Sequence, residues 1–361
     1  MLLKKKKNNK IKGTIIIKEF LKNIFNIFII IFLKRSRIIE KNQHKNINKF
    51  NNFVLLPLWI FILVISIKNI LSGKLNNNIR NLNSISKIHL KIVNQNFNER
   101  EKILVAYYYL PDYIYLNGNI TNNDNGYIYI DNNKTNNVTL IWNDPLETCE
   151  YLFDYLDYII EIDLSEFDTS KVTSMNYMFY ECINLKHVNL NNINTSLVVN
   201  MERMFYGSIS LTSIDLSNFD TSKVTSMKYM FSDCSEITSL NLNSFNTSQV
   251  SEMRYMFYGC KSLKNINLSN FDTSNVINMR ALFGLCYSLT SINLSNFNVS
   301  KVEQMDYMFY KCNSLISLNL SNFKTSSLES MEYMFYDCYS LINIDLSNFD
   351  TSQVLNMESF F

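Results

Sequence analysis

Glycine and proline are scarce in this sequence, with seven and three among 361 residues. Flexible linkers and collagen-like segments are rich in them, so their scarcity predicts that most of the chain is ordered. No glycine-rich loop that could cradle a phosphate is present, and His44, His89 and His187 lie far apart. The seven cysteines contain no CxxC pair. These absences predict a protein that is not an enzyme, with no catalytic residue, no metal site and no cofactor.

The net charge of +2 hides an uneven distribution of charge along the chain. Residues 1–144 carry 22 Lys and Arg against 8 Asp and Glu, whereas residues 145–361 carry 12 against 24. The basic excess belongs to the amino-terminal segment and not to the part that is expected to fold. We therefore predict that the chain does not bind nucleic acid, because such binding needs basic residues on a folded surface.

One long apolar run is present near the amino terminus. Residues 50–67 carry no charge, and Phe53 to Ile67 are nearly all large apolar side chains. A helix of 18 residues rises about 27 Å, which matches a bilayer core. We predict a basic cytoplasmic tail at 1–52, a transmembrane signal anchor at 53–70 and an extracellular repeat domain, hence a single-pass membrane protein. The alternative is a cleaved secretory peptide.

The region between this run and the repeats is polar and rich in asparagine. Residues 71–137 predict a stalk and a small β-rich region, because short β-branched and aromatic runs alternate with Asn-Gly turns. Residues 138–158 are expected to cap the first repeat. The predicted strands lie at 88–93, 103–109, 113–116 and 126–130.

A 26-residue period governs the remainder of the chain, residues 159–361. It gives seven complete units and one partial unit. The period is carried by a column of leucines, and methionine, phenylalanine and cysteine columns keep the same phase. The leucines are Leu164, Leu190, Leu216, Leu242, Leu268, Leu294, Leu320 and Leu346. Such a strict period indicates that each unit stacks on the next and buries a shared core.

Two segments of the unit have different apolar spacing. Ile214 and Leu216 alternate with polar residues, which predicts a short strand. Val224, Met227, Met230 and Phe231 fall on one face of a helix. The pattern therefore predicts an α/β solenoid, namely a leucine-rich-repeat right-handed coil with a parallel strand ladder and short helical turns, preceded by one transmembrane helix.

The unit resembles the BspA-like leucine-rich repeats of surface proteins, a 26-residue pattern also found in mycoplasma-type surface lipoproteins. The resemblance covers residues 149–361. It implies a cell-surface protein with a role in adhesion, and it supplies no catalytic residue. The residues that carry it in one unit are Asn270, Phe271, Asp272, Thr273, Ser274, Val276, Met279, Phe283, Cys286, Ser288 and Leu289.

One polar column is the candidate ligand-binding face, because it runs along the exposed side of the predicted sheet. Such a line could bind a glycan, a polar protein surface or a calcium ion. The alternative is a solvated column that only prevents aggregation. Its members are Asp163, Asn189, Asp215, Asn241, Asn267, Asn293, Asn319 and Asp345.

Three further columns have simpler interpretations. The lone cysteine of each unit is expected to be a buried apolar-like residue. The Asp or Asn before the Thr-Ser pairs, such as Asp220, is expected to cap a turn, with Lys324 as the exception. The tyrosines form either an aromatic contact strip or ordinary outer packing. They include Tyr177, Tyr180, Tyr229, Tyr255, Tyr258, Tyr307, Tyr310, Tyr333 and Tyr336.

Two functions follow as hypotheses. The first is a cell-surface binding or adhesion module whose polar repeat face contacts a protein or glycan. The second is a structural spacer or coat without a specific ligand. The expected partners are a membrane, through residues 53–67, and the protein or glycan ligand. End-to-end self-association through the uncapped last coil is also expected, because an open end of a stack exposes apolar side chains and a strand edge.

Overall fold

The computed structural model describes residues 85–93, 101–104, 108–122, 125–130 and 134–361. The predicted basic tail (1–52) and signal anchor (53–70) lie outside these residues, as does most of the predicted stalk. Within the described residues, no helix is long and apolar enough to cross a membrane. The prediction of a single-pass membrane protein with extracellular repeats is therefore corrected, because the structure gives it no support.

Ten strands lie within the described residues. They are β1 (Ser86–Val93), β2 (Glu101–Leu104), β3 (Tyr113–Leu116), β4 (Asn119–Thr121), β5 (Tyr127–Ile130), β6 (Thr135–Trp142), β7 (Ile159–Glu166), β8 (His187–Asn189), β9 (Ser317–Asn319) and β10 (Asn343–Asp345). Four of them, β1, β2, β3 and β5, confirm the strands predicted before the repeats, although β2 begins and ends earlier than expected.

A six-stranded sheet joins the region before the repeats to the first repeat units, in the order β4-β3-β6-β1-β7-β8. Strand β1 is central, because it pairs antiparallel with β6 on one side and with β7 on the other. Its alternate side chains Ile88, Leu90 and Ile92 are buried, as the pleat of a half-covered strand requires. Strand β7 then pairs in parallel with β8, which begins the stacking of repeat units.

The repeat units form coils that stack in parallel, each shifted by 26 residues from the next. Isolated parallel bridges mark one column through the whole stack: Ser174, Asn200, Ser226, Glu252, Asn278, Gln304, Ser330 and Asn356. We refer to residues 226–234 and their equivalents at 26-residue intervals as the methionine flank. Residues 211–217 and their equivalents are the leucine flank.

The described residues contain no helix, so the predicted α/β class with short helical turns is wrong. The methionine flank consists of turns instead. Tyr229 and Asp233 both have a φ of 59°, and their equivalents in the other coils are also left-handed. A right-handed helix cannot contain a left-handed residue at every fourth position.

Backbone hydrogen bonds explain why this arrangement is stable. The N–H groups of Met230, Ser232 and Cys234 donate to carbonyls three residues earlier, which closes successive turns. The N–H groups that alternate with them donate to the next coil. Tyr229 N–H donates to the Arg254 carbonyl at 3.0 Å, and Phe231 N–H donates to the Met256 carbonyl at 2.9 Å. The flank is therefore bonded both within a coil and between coils.

The predicted parallel strand ladder is also wrong as a continuous feature. Regular strands occur on the leucine flank only at β7–β8 and β9–β10. Between residues 212–216 and 238–242, which the structure describes in full, no backbone hydrogen bond joins the two coils. The continuous ladder lies on the methionine flank.

The core lies between the two flanks and consists of the columns that the period predicted. Leu216, Val224, Met227 and Phe231 are all fully buried. One phenylalanine per coil stacks nearly parallel on the next, with the rings of Phe205 and Phe231 5.7 Å apart and inclined by 2°. Each such side chain contributes about 1.5–3 kcal/mol of gross burial energy.

Candidate functional site

A surface groove of about 460 Å³ lies on the outer face of the six-stranded sheet. Strands β6, β1, β7 and β8 each contribute to it, because alternate residues of adjacent strands point to the same side. It contains the first two members of the predicted polar column. The polar side chains that line it include His89, Asn137, Thr139, Asp163, His187 and Asn189.

Hydrogen bonds hold the polar side chains of the groove in place. His89 Nδ1 lies 2.9 Å from the Thr139 hydroxyl, and Asn189 Nδ2 donates to Asp163 Oδ1 at 2.8 Å. At the margin, Lys91 Nζ donates to Glu161 Oε1 at 2.7 Å. The groove thus offers fixed amide, imidazole, carboxylate and ammonium groups, which suits a polar ligand better than an apolar one.

The predicted polar column is present, and each of its eight members caps a turn. A side-chain oxygen of each member accepts the backbone N–H two residues later. Examples are Asp215 from Ser217 at 3.0 Å and Asn267 from Ser269 at 3.1 Å. The remaining pairs follow the same rule. The side chain of each residue is therefore already used by its own coil, an interaction typical of Asx turns.

Turn capping also sets the charge state of the acidic members. Hydrogen bonds from the backbone and hydroxyl of Ser217 lower the pKa of Asp215, and Ser347 lowers the pKa of Asp345 in the same way. Burial alone would raise the pKa of Asp163, but hydrogen bonds from Ser165 and Asn189 and the charge of His89 together lower it. These carboxylates therefore stay ionised in the folded protein.

From Asp215 to Asp345 the column is exposed, whereas Asp163 and Asn189 are half-buried in the groove. Only three of the eight members carry a charge, so the middle of the face is neutral and rich in amides. Among the described residues, no group of three potential metal-binding side chains occurs. The calcium ion considered from the sequence therefore has no supporting cluster there.

The predicted capping role is confirmed where Asp or Asn precedes the Thr-Ser pair. Asp220 Oδ1, for example, accepts the Ser222 N–H at 3.0 Å. The sequence did not reveal the role of the following threonine, which is buried and joins two coils. Thr221 Oγ1 donates to the Asn246 carbonyl at 2.9 Å and accepts the N–H of the same residue at 2.8 Å. Val299 replaces threonine in one coil and can form neither bond.

The cysteine column is structural, as predicted. All seven cysteines are free, and burial raises the pKa of the Cys182 thiol. Each of the six in-phase thiols donates to a phenylalanine carbonyl 29 residues earlier, such as Cys260 to Phe231 at 3.2 Å. Ser208, which replaces cysteine once, makes the same bond to Phe179 at 3.0 Å. The column therefore supplies a buried donor and not a metal ligand or a redox pair.

The tyrosines are half-buried on the outside of the methionine flank and stack along the coil axis. The rings of Tyr229 and Tyr255 are 4.6 Å apart and inclined by 5°. Where Arg203 replaces tyrosine, its guanidinium lies 5.2 Å from the Tyr177 ring and 4.4 Å from the Tyr229 ring. Ordinary outer packing therefore accounts for the ring faces, while the ring edges remain at the surface.

The structure assembles the groove from residues that are distant in sequence. His89 and Thr139 precede the repeats, so the 26-residue period could not identify them. Only the predicted strands at 88–93 and 113–116, together with the predicted cap, indicated that a sheet would lie there. No sequence pattern indicated that this sheet would pair with the first coil.

The repeat region matches one protein-family model twice in succession. The family is described as "Mycoplasma protein of unknown function, DUF285", and the matches cover residues 147–266 and 260–361, together about three-fifths of the chain. No curated protein and no solved structure matches the chain. The family match is consistent with mycoplasma-type surface repeat proteins, but it does not confirm a BspA-like leucine-rich repeat. The chain belongs to the Mycoplasma protein family DUF285.

Proposed function

We propose that this chain is a binding module that contacts a protein or glycan partner through the groove and the adjoining leucine flank. The observation that supports this most directly is the continuity of the two surfaces. Asp163 and Asn189 line the groove and are also the first two members of the exposed polar column. A partner could therefore lie across both.

The chemistry of this surface favours a polar partner. The column offers exposed amides, and the next outward position carries small polar residues such as Ser213, Ser239 and Asn265. Hydroxyls and amides can both donate and accept hydrogen bonds, which suits sugar hydroxyls and peptide groups. A flat, mostly neutral surface of this kind binds through many modest contacts.

The second candidate function, a spacer without a specific ligand, is favoured by a different observation. Every member of the polar column already caps the turn of its own coil. Its regular occurrence is therefore accounted for by folding alone. The two functions differ in whether the free edges of these side chains also contact a partner.

A matched pair of triple variants separates these functions. In the first variant, Asn241→Asp, Asn267→Asp and Asn293→Asp keep the capping oxygens but make the leucine flank acidic. In the control, Asn194→Asp, Asn246→Asp and Asn298→Asp make the same change in the other exposed turn column, where the asparagines cap in the same way. The purified chain would be tested on glycan and matrix-protein arrays.

We expect the first variant to weaken binding at least tenfold and the control variant to bind as the wild type does. His187→Ala, in the groove, should weaken binding too, whereas Lys171→Ala, which is exposed outside it, should not. The absence of any ligand on the arrays, or equal losses in both triple variants, would favour the spacer and contradict the binding module.

End-to-end self-association also remains a proposal. In the last coil Ile342, Leu355 and Phe361 are 79%, 89% and 65% exposed, which leaves apolar surface available for contact. Sedimentation velocity at increasing protein concentration should show oligomers that Leu355→Asp abolishes. A monomer at every concentration would contradict the proposal.

A further inference from the structure

A column of basic residues on the methionine flank has no role in the proposed function. Lys228, Arg254 and Arg280 occupy the same position in three consecutive coils. The N–H of Tyr229 donates to the Arg254 carbonyl at 3.0 Å, and that of Tyr255 to the Arg280 carbonyl at 2.8 Å, so their backbones are adjacent. Three positive charges stacked one coil apart repel one another unless anions lie between them.

The carboxylates near this column compensate it unevenly. Lys228 Nζ lies 3.0 Å from Glu202, which is a close ion pair. Arg254 Nε is 3.8 Å from Glu252, and Arg280 lies 4.0 Å from Asp306, and both distances exceed the length of a hydrogen bond. The two arginines are thus paired less completely than the lysine.

Both arginines retain hydrogen-bonding capacity that the chain does not use. The Nε–H groups of Arg254 and Arg280 are buried and have no hydrogen-bond partner. A guanidinium carries five N–H donors in a fixed plane. The side chains are 39% and 40% exposed, so their outer nitrogens reach solvent.

Aromatic rings lie beside the arginines of the methionine flank. The Arg280 guanidinium lies 5.5 Å from the centroid of the Tyr307 ring, and that of Arg203 lies 4.4 Å from the Tyr229 ring. A guanidinium stacked on a ring keeps its N–H edges free for an anion. Burial raises the pKa of Tyr229, and the positive charges of Arg254, Arg203 and Arg280 oppose that rise.

We propose that Arg254 and Arg280 bind a doubly charged tetrahedral oxyanion, a phosphate or sulfate group, on the methionine flank. Such a group can accept hydrogen bonds from both guanidinium groups at once and neutralise both charges. A singly charged carboxylate would add little, because Glu252 and Asp306 already lie beside these side chains. Lys228, which is paired with Glu202, lies at the margin of the site.

Calorimetric titration of the whole chain with inorganic phosphate and with sulfate, at constant ionic strength, tests the proposal. Both anions should bind, and acetate should not. Arg254→Gln and Arg280→Gln should each weaken binding at least tenfold. Lys264→Gln removes one positive charge from the exposed leucine flank and should have no effect. Glu252→Gln should tighten binding, because it removes a competing carboxylate.

Equal binding of acetate and phosphate, or wild-type affinity in Arg254→Gln, would overturn the proposal. If Arg254→Gln does not fold, Arg254→Lys provides the comparison, since it keeps the charge but loses the planar fork. Failure of Glu252→Gln to tighten binding would overturn the role assigned to the competing carboxylate. A phosphoserine peptide should also bind, and an affinity above that of free phosphate would identify a protein-borne phosphate as the preferred source.

Discussion

The methionine flank and the leucine flank connect neighbouring coils in different ways. On the methionine flank, Met227, Tyr229, Phe231 and Asp233 each donate a backbone hydrogen bond to the next coil. No backbone hydrogen bond joins the leucine flanks of the same two coils. Burial of Leu211 and Leu216 holds that side together, along with a side-chain hydrogen bond from Ser244 Oγ to the Leu216 carbonyl at 2.9 Å. The two sides of one coil therefore rely on different forces.

Ring spacing indicates the geometric cause of this difference. Tyr229 and Tyr255, outside the methionine flank, are 4.6 Å apart, whereas Phe219 and Phe245, next to the leucine flank, are 6.3 Å apart. Paired strands need a separation of about 4.8 Å. The coils thus fan apart toward the leucine flank, where exposed backbone groups can bond to water instead.

Hydrogen exchange should show the largest contrast between the flanks. The amide of Tyr229 donates to the next coil, so we expect it to exchange roughly a thousandfold or more slowly than the unpaired amide of Thr212. Mass spectrometry of peptides from 226–234 and 211–217 would measure the difference. Equal protection of the two segments would show that the leucine flank is paired in solution.

Phenylalanine truncation should distinguish the cores beneath the two flanks. Phe231 stacks on the rings of both Phe205 and Phe257, so Phe231→Ala should cost about 3–5 kcal/mol of unfolding free energy. Phe219 is equally buried but stacks only on Phe245, so Phe219→Ala should fall at or below the low end of that range. Urea denaturation would measure both, and a larger loss for Phe219→Ala would contradict the comparison.

The threonine between the flanks offers a substitution in both directions. Thr247→Val should lower the free energy of unfolding by about 1–3 kcal/mol, because it leaves the N–H and carbonyl of Asp272 without their side-chain partner. Val299→Thr should raise the free energy of unfolding by about 0.5–1.5 kcal/mol, because the new hydroxyl can bond to the N–H and carbonyl of Lys324. Thermal unfolding of the two variants would measure the changes. Shifts of the same sign would contradict the assigned role.

The two flanks should also respond oppositely to pH. Burial, followed by the nearby charge of Glu181, raises the pKa of Asp154 from 3.8 to about 6. The folded state therefore holds this proton more tightly, and the resulting stability is full below about pH 4 and lost as pH rises through 6. After discounting for solvent screening, the loss should be about 1 kcal/mol.

On the leucine flank the sign is reversed. The pKa of Asp215 is lowered by Ser217, so its contribution is present above the ordinary value of 3.8 and lost as pH falls further. Unfolding measured against pH should show the high-pH loss disappear in Asp154→Asn and the low-pH loss shrink in Asp215→Asn. The second variant keeps its capping oxygen. Unchanged profiles in both variants would contradict these assignments.

The sequence predicted the columns of the core correctly but not the local conformation of the chain. Met227, Met230 and Phe231 are spaced as on a helix, and the spacing did predict their burial. Successive turns, each closed by a hydrogen bond to the carbonyl three residues earlier and with a left-handed residue at every fourth position, give the same spacing. Tyr229 is an uncommon residue type at a left-handed position, so residue type gave no indication of the turn there.

The sequence predicted the line of polar residues in the candidate site, but not their turn capping or the groove. The period placed Asp215 and its equivalents on one line, and the six members from Asp215 to Asp345 are exposed. It could not show that each oxygen accepts an N–H from its own turn, since capping and ligand binding favour the same residues. The groove depends on β1, whose pairing with β7 is a long-range contact that local pattern does not encode.

The alternation of N–H groups on the methionine flank has a genetic consequence. The N–H groups of each coil donate to carbonyls of the next coil, and its own carbonyls accept the same hydrogen bonds from the previous coil. An inserted or deleted 26-residue unit therefore meets complementary groups on both sides. Recombination between copies within a gene could therefore change the number of coils without any compensating mutation. The length of the stack is free to evolve separately from the surface that it displays.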